Sequence, residues 1–266
     1  MHQNTATLAR RLFQLSALTV TVALAGCAVD PGTDSDGSDA GIGGSAEGGS
    51  VGEEIAAADQ ELYVNYEGQN LSNFTFDGQN LDTSSFRNTQ LTSTRFIGTS
   101  LYRARFRGSR GNNTNFHEAD LREADFYGAG LQSAEFDHAD LSRANFYGAT
   151  MVYGNFDYAN LSYATAEGAN LEASWANYVI ANNFYARGAD LGRLRAYGAK
   201  FRYANFTGAD LGSADLRNAD LRNTKLEGAY LANANLNGAD LCGATRNAQT
   251  NFSGASQSGT KCPLHN

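Results

Sequence analysis

The chain has 266 residues, 42% hydrophobic and only 18% charged, with 29 glycines, 2 prolines and a net charge of −8. So few prolines and charges exclude a largely disordered chain, and the acidic balance excludes general nucleic-acid binding through a basic surface. Three cysteines (Cys27, Cys242, Cys262) and four scattered histidines (His2, His117, His138, His265) exclude a disulfide-dense miniprotein and a four-cysteine zinc site.

The N-terminus reads as a targeting signal. Arg10 and Arg11 precede a mostly apolar run, residues 12–24, which is shorter than the roughly 20 apolar residues a membrane span needs. The run ends in Leu24-Ala25-Gly26-Cys27, which resembles a bacterial lipobox. By that resemblance residues 1–26 are a lipoprotein signal peptide, and Cys27 is acylated and becomes the first mature residue. The other reading is a plain secretory signal whose cysteine is incidental. By resemblance to Gram-negative lipoproteins, Ala28 in place of Asp implies export to the outer membrane. Arg10-Arg11-Leu12-Phe13 also faintly resembles a twin-arginine signal. The expected location is therefore the bacterial cell envelope, with a lipid anchor at Cys27.

Residues 27–59 read as the lipidated cysteine and a tether. From 28 to 59 the chain is rich in Gly, Ser, Ala and Asp, with eight acids and no Lys or Arg. Such a composition buries too little apolar surface to offset its ordering entropy, so a flexible, solvated segment is expected. Its end, residues 53–63, predicts a short helix, with Ile55 and Leu62 on one side. Removing those eight acids from 28, and Arg10 and Arg11 from the 20 bases, leaves 20 acids and 18 bases. The remaining 207 residues thus carry only −2.

An internal repeat occupies residues 60–245. Every fifth residue from Tyr66 to Leu241 makes 36 positions, of which 17 are Leu and 11 are Phe. The positions two before them hold 20 Ala, eight Ser or Thr, and Gly154. Asp or Asn is common just before the large residue, as in Ala139-Asp140-Leu141. A period of five matches no helical pattern, and a single unit cannot bury its one Leu or Phe, so units must stack on a common core.

This pattern resembles the pentapeptide-repeat family. The resemblance implies an all-β fold, a right-handed quadrilateral β-helix with four units, or 20 residues, per coil. Thirty-six units then make about nine coils and a rod of about 43 Å. From Phe76 to Phe156 the large residue is Phe at every tenth position, nine in succession. Four sides per coil place these on two opposite walls, where phenyl rings stack. Residues 166, 176, 181, 186 and 196 are instead Ala, and at three of these the volume returns two residues earlier, as Val179, Phe184 and Leu194.

Residues 246–266 read as a C-terminal cap. Phe252 stands one position late, which implies a one-residue insertion. Cys242 and Cys262 are one 20-residue coil apart in sequence. Stacked residues lie about 4.8 Å apart, so an exported protein should join them as a disulfide.

No phosphate loop, paired-histidine metal motif or nucleophile elbow occurs, so no enzyme, cofactor or metal site is expected. Stacking puts Asp120 beside Asp140, Asp190 beside Asp210 and Asp220 beside Asp240, which reads as a solvated carboxylate ladder. Arg103, Glu123 and Arg143 read as an ion-pair column. Exposed aromatics gather in the later coils, and Tyr127, Tyr147, Tyr158, Tyr163, Trp175 and Tyr178 are the candidate binding surface. They read either as a flat wall for a protein or glycan partner, or in part structurally, with Trp175, Ile180 and Tyr185 folded partly inward to fill space left by missing Phe rings. The function expected is a non-enzymatic, lipid-anchored structural or interaction module. Its alternatives are a glycan-binding or polysaccharide-acting β-helix and, by resemblance to the family's quinolone-resistance members, a DNA mimic that binds gyrase. The near-neutral, exported rod argues against the last.

Overall fold

The computed structural model describes residues 63–263. The signal sequence, Cys27, the tether and the predicted helix up to residue 62 lie outside them. Each five-residue unit contributes one short strand contact and one turn. The residue before each large side chain forms a parallel bridge with the residue 20 positions on, from Asn65↔Ser85 to Lys225↔Thr245. The two residues after it form a corner, closed by bonds such as Ala124 N–H to the Leu121 carbonyl at 3.0 Å. The second corner residue has positive φ, 61° at Gly128 for example, which is why Gly and Asn recur there. Four units per 20-residue turn make a four-sided parallel β-helix.

All 36 large positions from Tyr66 to Leu241 are buried, as are the positions two before them from Ser84 to Ala239. In the first described coil the smaller positions hold Gln69 and Gln79, which are exposed, because an end coil has a neighbour on one side only. In the next coils Thr89, Thr94, Thr99 and Thr114 occupy these positions. Thr94 Oγ1 donates to the Leu71 carbonyl at 2.8 Å and Thr114 Oγ1 to that of Leu91 at 2.9 Å, so each buried hydroxyl ties two coils together.

The Phe residues form two ladders. Phe86, Phe106 and Phe126 stack at 4.9 and 4.8 Å, and Phe96, Phe116 and Phe136 at 5.0 and 4.9 Å. Between ladders the rings meet edge to face, as at Phe116 and Phe126, 5.9 Å and 88°. Both geometries suit the ring quadrupole. At Gly111 the wall lacks a large residue. An added Cβ there would lie 2.6 Å from the Leu91 carbonyl carbon, so only Gly fits. Among the described residues this place holds the two longer strands, β1 (Arg110–Asn112) and β2 (Gly130–Gln132), paired parallel.

Beyond Phe156 the core inverts. Val179, Phe184 and Leu194 are buried, so the exchange of large and small places is real. It is incomplete. Ala166 is preceded by Ala164 and Ala176 by Ser174, so neither pair regains a large side chain. A small apolar void of about 30 Å³ lies at the second of these pairs, bordered by Phe156, Leu171, Ser174, Ala176 and Phe184. Trp175, Ile180 and Tyr185 do not fill it, contrary to the inward reading. Trp175 is 39% and Ile180 37% exposed, and Tyr185 is half-buried. The cause is strand alternation: Trp175 N–H donates to the Gly154 carbonyl and its own carbonyl accepts from Phe156 N–H, both in the preceding coil, and with Ser174 and Ala176 buried before and after it the side chain points outward.

After Thr245 the offset changes from 20 to 21, with Tyr230↔Asn251 and Asp240↔Lys261, so the extra residue lies in 246–250 and Phe252 is again buried. Cys242 and Cys262 are joined by a disulfide, Cα atoms 5.0 Å apart. They are not stacked directly, as a plain 20-residue coil would require. The insertion brings Cys262 opposite Leu241, and the bond crosses by one residue.

Candidate functional site

The corners decide where the aromatics stand. Tyr127 and Tyr147 are first corner residues on one ladder wall, stacked at 5.4 Å with the Arg107 guanidinium over Tyr127 at 4.7 Å. Tyr158 and Tyr178 are second corner residues on the other ladder wall, half a coil away and hence diagonally opposite. The six candidate residues therefore do not form one wall. Tyr158, Tyr163, Trp175 and Tyr178 belong together, and Tyr127 and Tyr147 stand apart from them.

The first group is larger than the sequence reading made it. His138 stacks on Tyr158 at 5.0 Å, Tyr158 on Tyr178 at 5.2 Å, and Tyr197 meets Tyr178 edge-on at 5.5 Å. Next to this column, Trp175 projects from one flanking wall and Ile180 from the other, at places usually given to Asp or Asn. Tyr163 and Tyr203 close the far corner, 59% and 52% exposed. Guanidinium groups lie over one face of three of these rings: Arg195 over Trp175 at 5.9 Å, Arg143 over Tyr163 at 6.0 Å and Arg202 over Tyr203 at 5.7 Å. The Tyr197 hydroxyl accepts from Asn218 at 3.0 Å. Partial desolvation, with the Tyr197 and Tyr158 phenols beside it, pushes the Tyr178 hydroxyl above the usual tyrosine range.

These residues stand against local preference. Tyr158, Tyr163, Tyr178 and Tyr203 have φ of 60°, 61°, 56° and 59°. A bulky side chain in the left-handed region costs about 1–2 kcal/mol, where Gly costs nothing. The same φ recurs at second corner positions along the whole rod, as at Arg103, Glu123, Tyr153 and Arg193, so it belongs to the repeat and not to this corner alone.

The carboxylates are engaged elsewhere. Asp120 accepts from Arg122 at 2.7 and 2.6 Å, Asp220 from Arg222 at 2.8 and 2.5 Å, and Asp140 from Asn160 at 3.1 Å. Hydrogen bonds from Arg222 hold the Asp220 carboxyl below its ordinary value despite partial burial, and Arg217 does the same for Asp215. Glu123 is 2.7 Å from Arg103 and 3.9 Å from Arg143, the expected ion-pair column. His117 Nδ1 lies 2.6 Å from Asp137 Oδ2. Among the described residues no three His, Cys, Asp or Glu side chains converge to hold a metal ion.

A family model described as "Pentapeptide repeat region" matches residues 63–136, and one described as "Pentapeptide repeats (8 copies)" matches 124–157, 139–174, 185–218 and 209–245. Among solved structures, HetL from the cyanobacterium Nostoc, a pentapeptide repeat protein involved in heterocyst differentiation regulation, is 25% identical; the match covers 74% of this chain and 91% of that one, with a TM-score of 0.47. QnrB1, a plasmid-mediated fluoroquinolone resistance protein, is 21% identical over 68% of this chain and 92% of its own, with a TM-score of 0.48. A pentapeptide repeat protein from the Arabidopsis thaliana thylakoid lumen is 26% identical over 57% and 70%, with a TM-score of 0.17. No curated protein sequence matches significantly. Taken together the family models cover most of the repeat, and the chain belongs to the pentapeptide-repeat family.

Proposed function

We propose that this protein is a non-enzymatic interaction module of the bacterial cell envelope: a right-handed β-helical rod of about nine coils, capped by residues 246–266 and tethered through residues 28–59 to a lipid on Cys27. The observation that carries the interaction role is the cluster of outward-facing aromatic side chains gathered around Tyr158 and Tyr178, with Trp175 and Ile180 beside them at places usually given to Asp or Asn. Exposed rings gathered in one place favour a contact made there. A non-catalytic role is favoured because the stacked acids have partners of their own: Asp120 and Asp220 accept from Arg122 and Arg222, Asp140 from Asn160, and Asp190 and Asp210 from the Gly192 and Gly212 N–H groups. Support for the anchor comes from the sequence around Cys27 and the absence of any base in the tether.

Fractionation of the source cells tests the anchor. The native chain should sediment with membranes and begin at an acylated Cys27, and Cys27→Ala should be soluble or unprocessed. Equal membrane retention of the alanine variant would contradict it. Photo-crosslinking from position 178 in intact cells tests the interaction role, with position 112 on another wall as the control. Products specific to position 178 are expected, and identical patterns would contradict the assignment.

A further inference from the structure

The aromatic corner is one-sided in two independent ways. Between residues 154 and 213 the exposed large hydrophobic side chains are Tyr158, Tyr163, Trp175, Tyr178, Ile180 and Tyr203. By register all six stand on the two walls that meet at the Tyr158–Tyr178 corner, and none on the two opposite walls. Charge divides the same way. Over the same three coils the aromatic walls carry Arg195, Lys200 and Arg202 against Asp157, a balance of +2. The opposite walls carry Glu167, Glu172, Asp190 and Asp210 against Arg187 and Arg193, a balance of −2.

The shape of the patch selects among partners. A glycan would stack on open ring faces, but Tyr158 is sandwiched between His138 and Tyr178, and guanidinium groups lie over one face of Trp175, Tyr163 and Tyr203. A protein interface normally takes about 800 Å² from each partner. Three coils at about 4.8 Å and two walls of about three extended residues give only about 300 Å². The patch is also convex, a corner and not a groove. A convex edge bearing Tyr, Trp and Ile, with Lys and Arg among them, suits the headgroup region of a bilayer. There amphipathic rings are stable and basic residues meet anionic lipid.

We infer that the Tyr158–Tyr178 corner rests on an anionic lipid surface and lays the rod along the membrane. This deepens the anchored reading above and rests on it, since the anchor supplies the membrane. The reach is sufficient. The 32 residues from 28 to 59, as a Gly-rich coil, span about 30 Å. Trp175 lies between five and six coils, about 26 Å, along the rod from Tyr66.

Trp175 is the only tryptophan of the chain and sits in the patch, so its emission reports the contact. The full chain is mixed with vesicles of phosphatidylcholine and phosphatidylglycerol, and in parallel with pure phosphatidylcholine. On the mixed vesicles Trp175 should shift to the blue and be quenched by lipid brominated near the headgroup, and the effect should weaken with salt. Replacing Tyr158, Tyr178 and Tyr203 by Asn, which tolerates the left-handed corner, should abolish the quenching without lowering the melting temperature. Co-sedimentation separates the two readings. A chain that sediments while Trp175 stays unshifted keeps the anchor and overturns the lipid face. Quenching that persists in Cys27→Ala supports the face without the anchor, and a full chain that neither sediments nor is quenched overturns both. A shift that appears without vesicles, on concentrating the protein or on adding soluble peptidoglycan fragments, assigns the corner to self-association or glycan and overturns the proposal. So does unchanged quenching in the triple variant.

Discussion

Two stretches of the rod share one backbone and differ in how they are filled. From Phe76 to Phe156, every turn places two phenyl rings on opposite walls, and side chains such as Phe106, Phe126 and Phe136 are fully buried. From Leu161 to Ala196, Ala takes five of the large places, and the interior keeps a void of about 30 Å³. Yet the bridges run on unbroken, as at Trp175↔Arg195 and Tyr185↔Asn205. Coil geometry is therefore set by the backbone ladder and the corner turns. Core volume sets how tightly each coil is held, and the same sequence period tolerates both fillings. The void borders the coils that carry the exposed aromatic corner, so interior packing and outward chemistry depart from the repeat together.

The largest expected difference comes from deleting a ring in each stretch. Phe126→Ala should cost about 3–5 kcal/mol, the usual range for a buried phenyl in a tight site. Phe184→Ala should cost about 3 kcal/mol or less, because Phe184 already borders empty space and its nearest aromatic neighbour, Phe206, is 6.4 Å away. Chemical denaturation of both variants checks this, and equal losses would erase the distinction.

Adding volume should reverse the sign between the stretches. Ala144→Val, inserted between ladder rings, should destabilise by about 1–3 kcal/mol through overpacking. Ala176→Val, facing the void, should be neutral or stabilise by up to about 1 kcal/mol. Melting curves of the two variants are sufficient to decide.

The smallest effect belongs to the walls, tested at two acids that lie beyond both stretches. Asp215 and Asp220 have carboxyls held below the ordinary value of 3.8 by Arg217 and Arg222. Each folded value is depressed, so the stabilisation is fully present above the unfolded value and is lost as pH falls through the folded one. Stability should thus be flat from neutral pH down to about pH 5 and should decline only below about pH 4. Asp220→Asn should remove about 1 kcal/mol or less of it, as exposed pairs do.

Much of this was legible before any coordinates. The inward pair of each unit, the two Phe ladders, the exchange at Val179, Phe184 and Leu194, and the late Phe252 all follow from counting in fives. Their physics is local and repeats at every coil. Three features were not reached by counting residue types. The void needs the observation that Ala176 has a small partner, Ser174, two residues earlier, whereas volume returns only at the three compensated positions. The outward Trp175 and Ile180 follow from their bridging backbone bonds to the preceding coil and the strand alternation these impose, which a volume argument ignores. The off-register disulfide follows from the insertion in residues 246–250, which changes the coil length between the two cysteines. The split of the aromatic residues was within reach: 127 and 147 differ from 158 and 178 by about half of 20, which puts them on opposite corners. The signal, Cys27 and the tether rest on sequence alone, because they fall outside the described residues.

The central claim is that one continuous ladder holds two stretches of unequal firmness. Native-state hydrogen exchange, read amide by amide, tests it most directly. The reporters are equivalent inter-coil bonds, such as Phe126 N–H to the Asn145 carbonyl at 2.7 Å and Ala186 N–H to the Asn205 carbonyl at 2.9 Å. Amides of residues 96–146 should exchange only through the slowest opening of the rod, while those of residues 166–196 should exchange through a lower-energy local opening. Uniform protection across both stretches, or stronger protection in 166–196, would contradict the account.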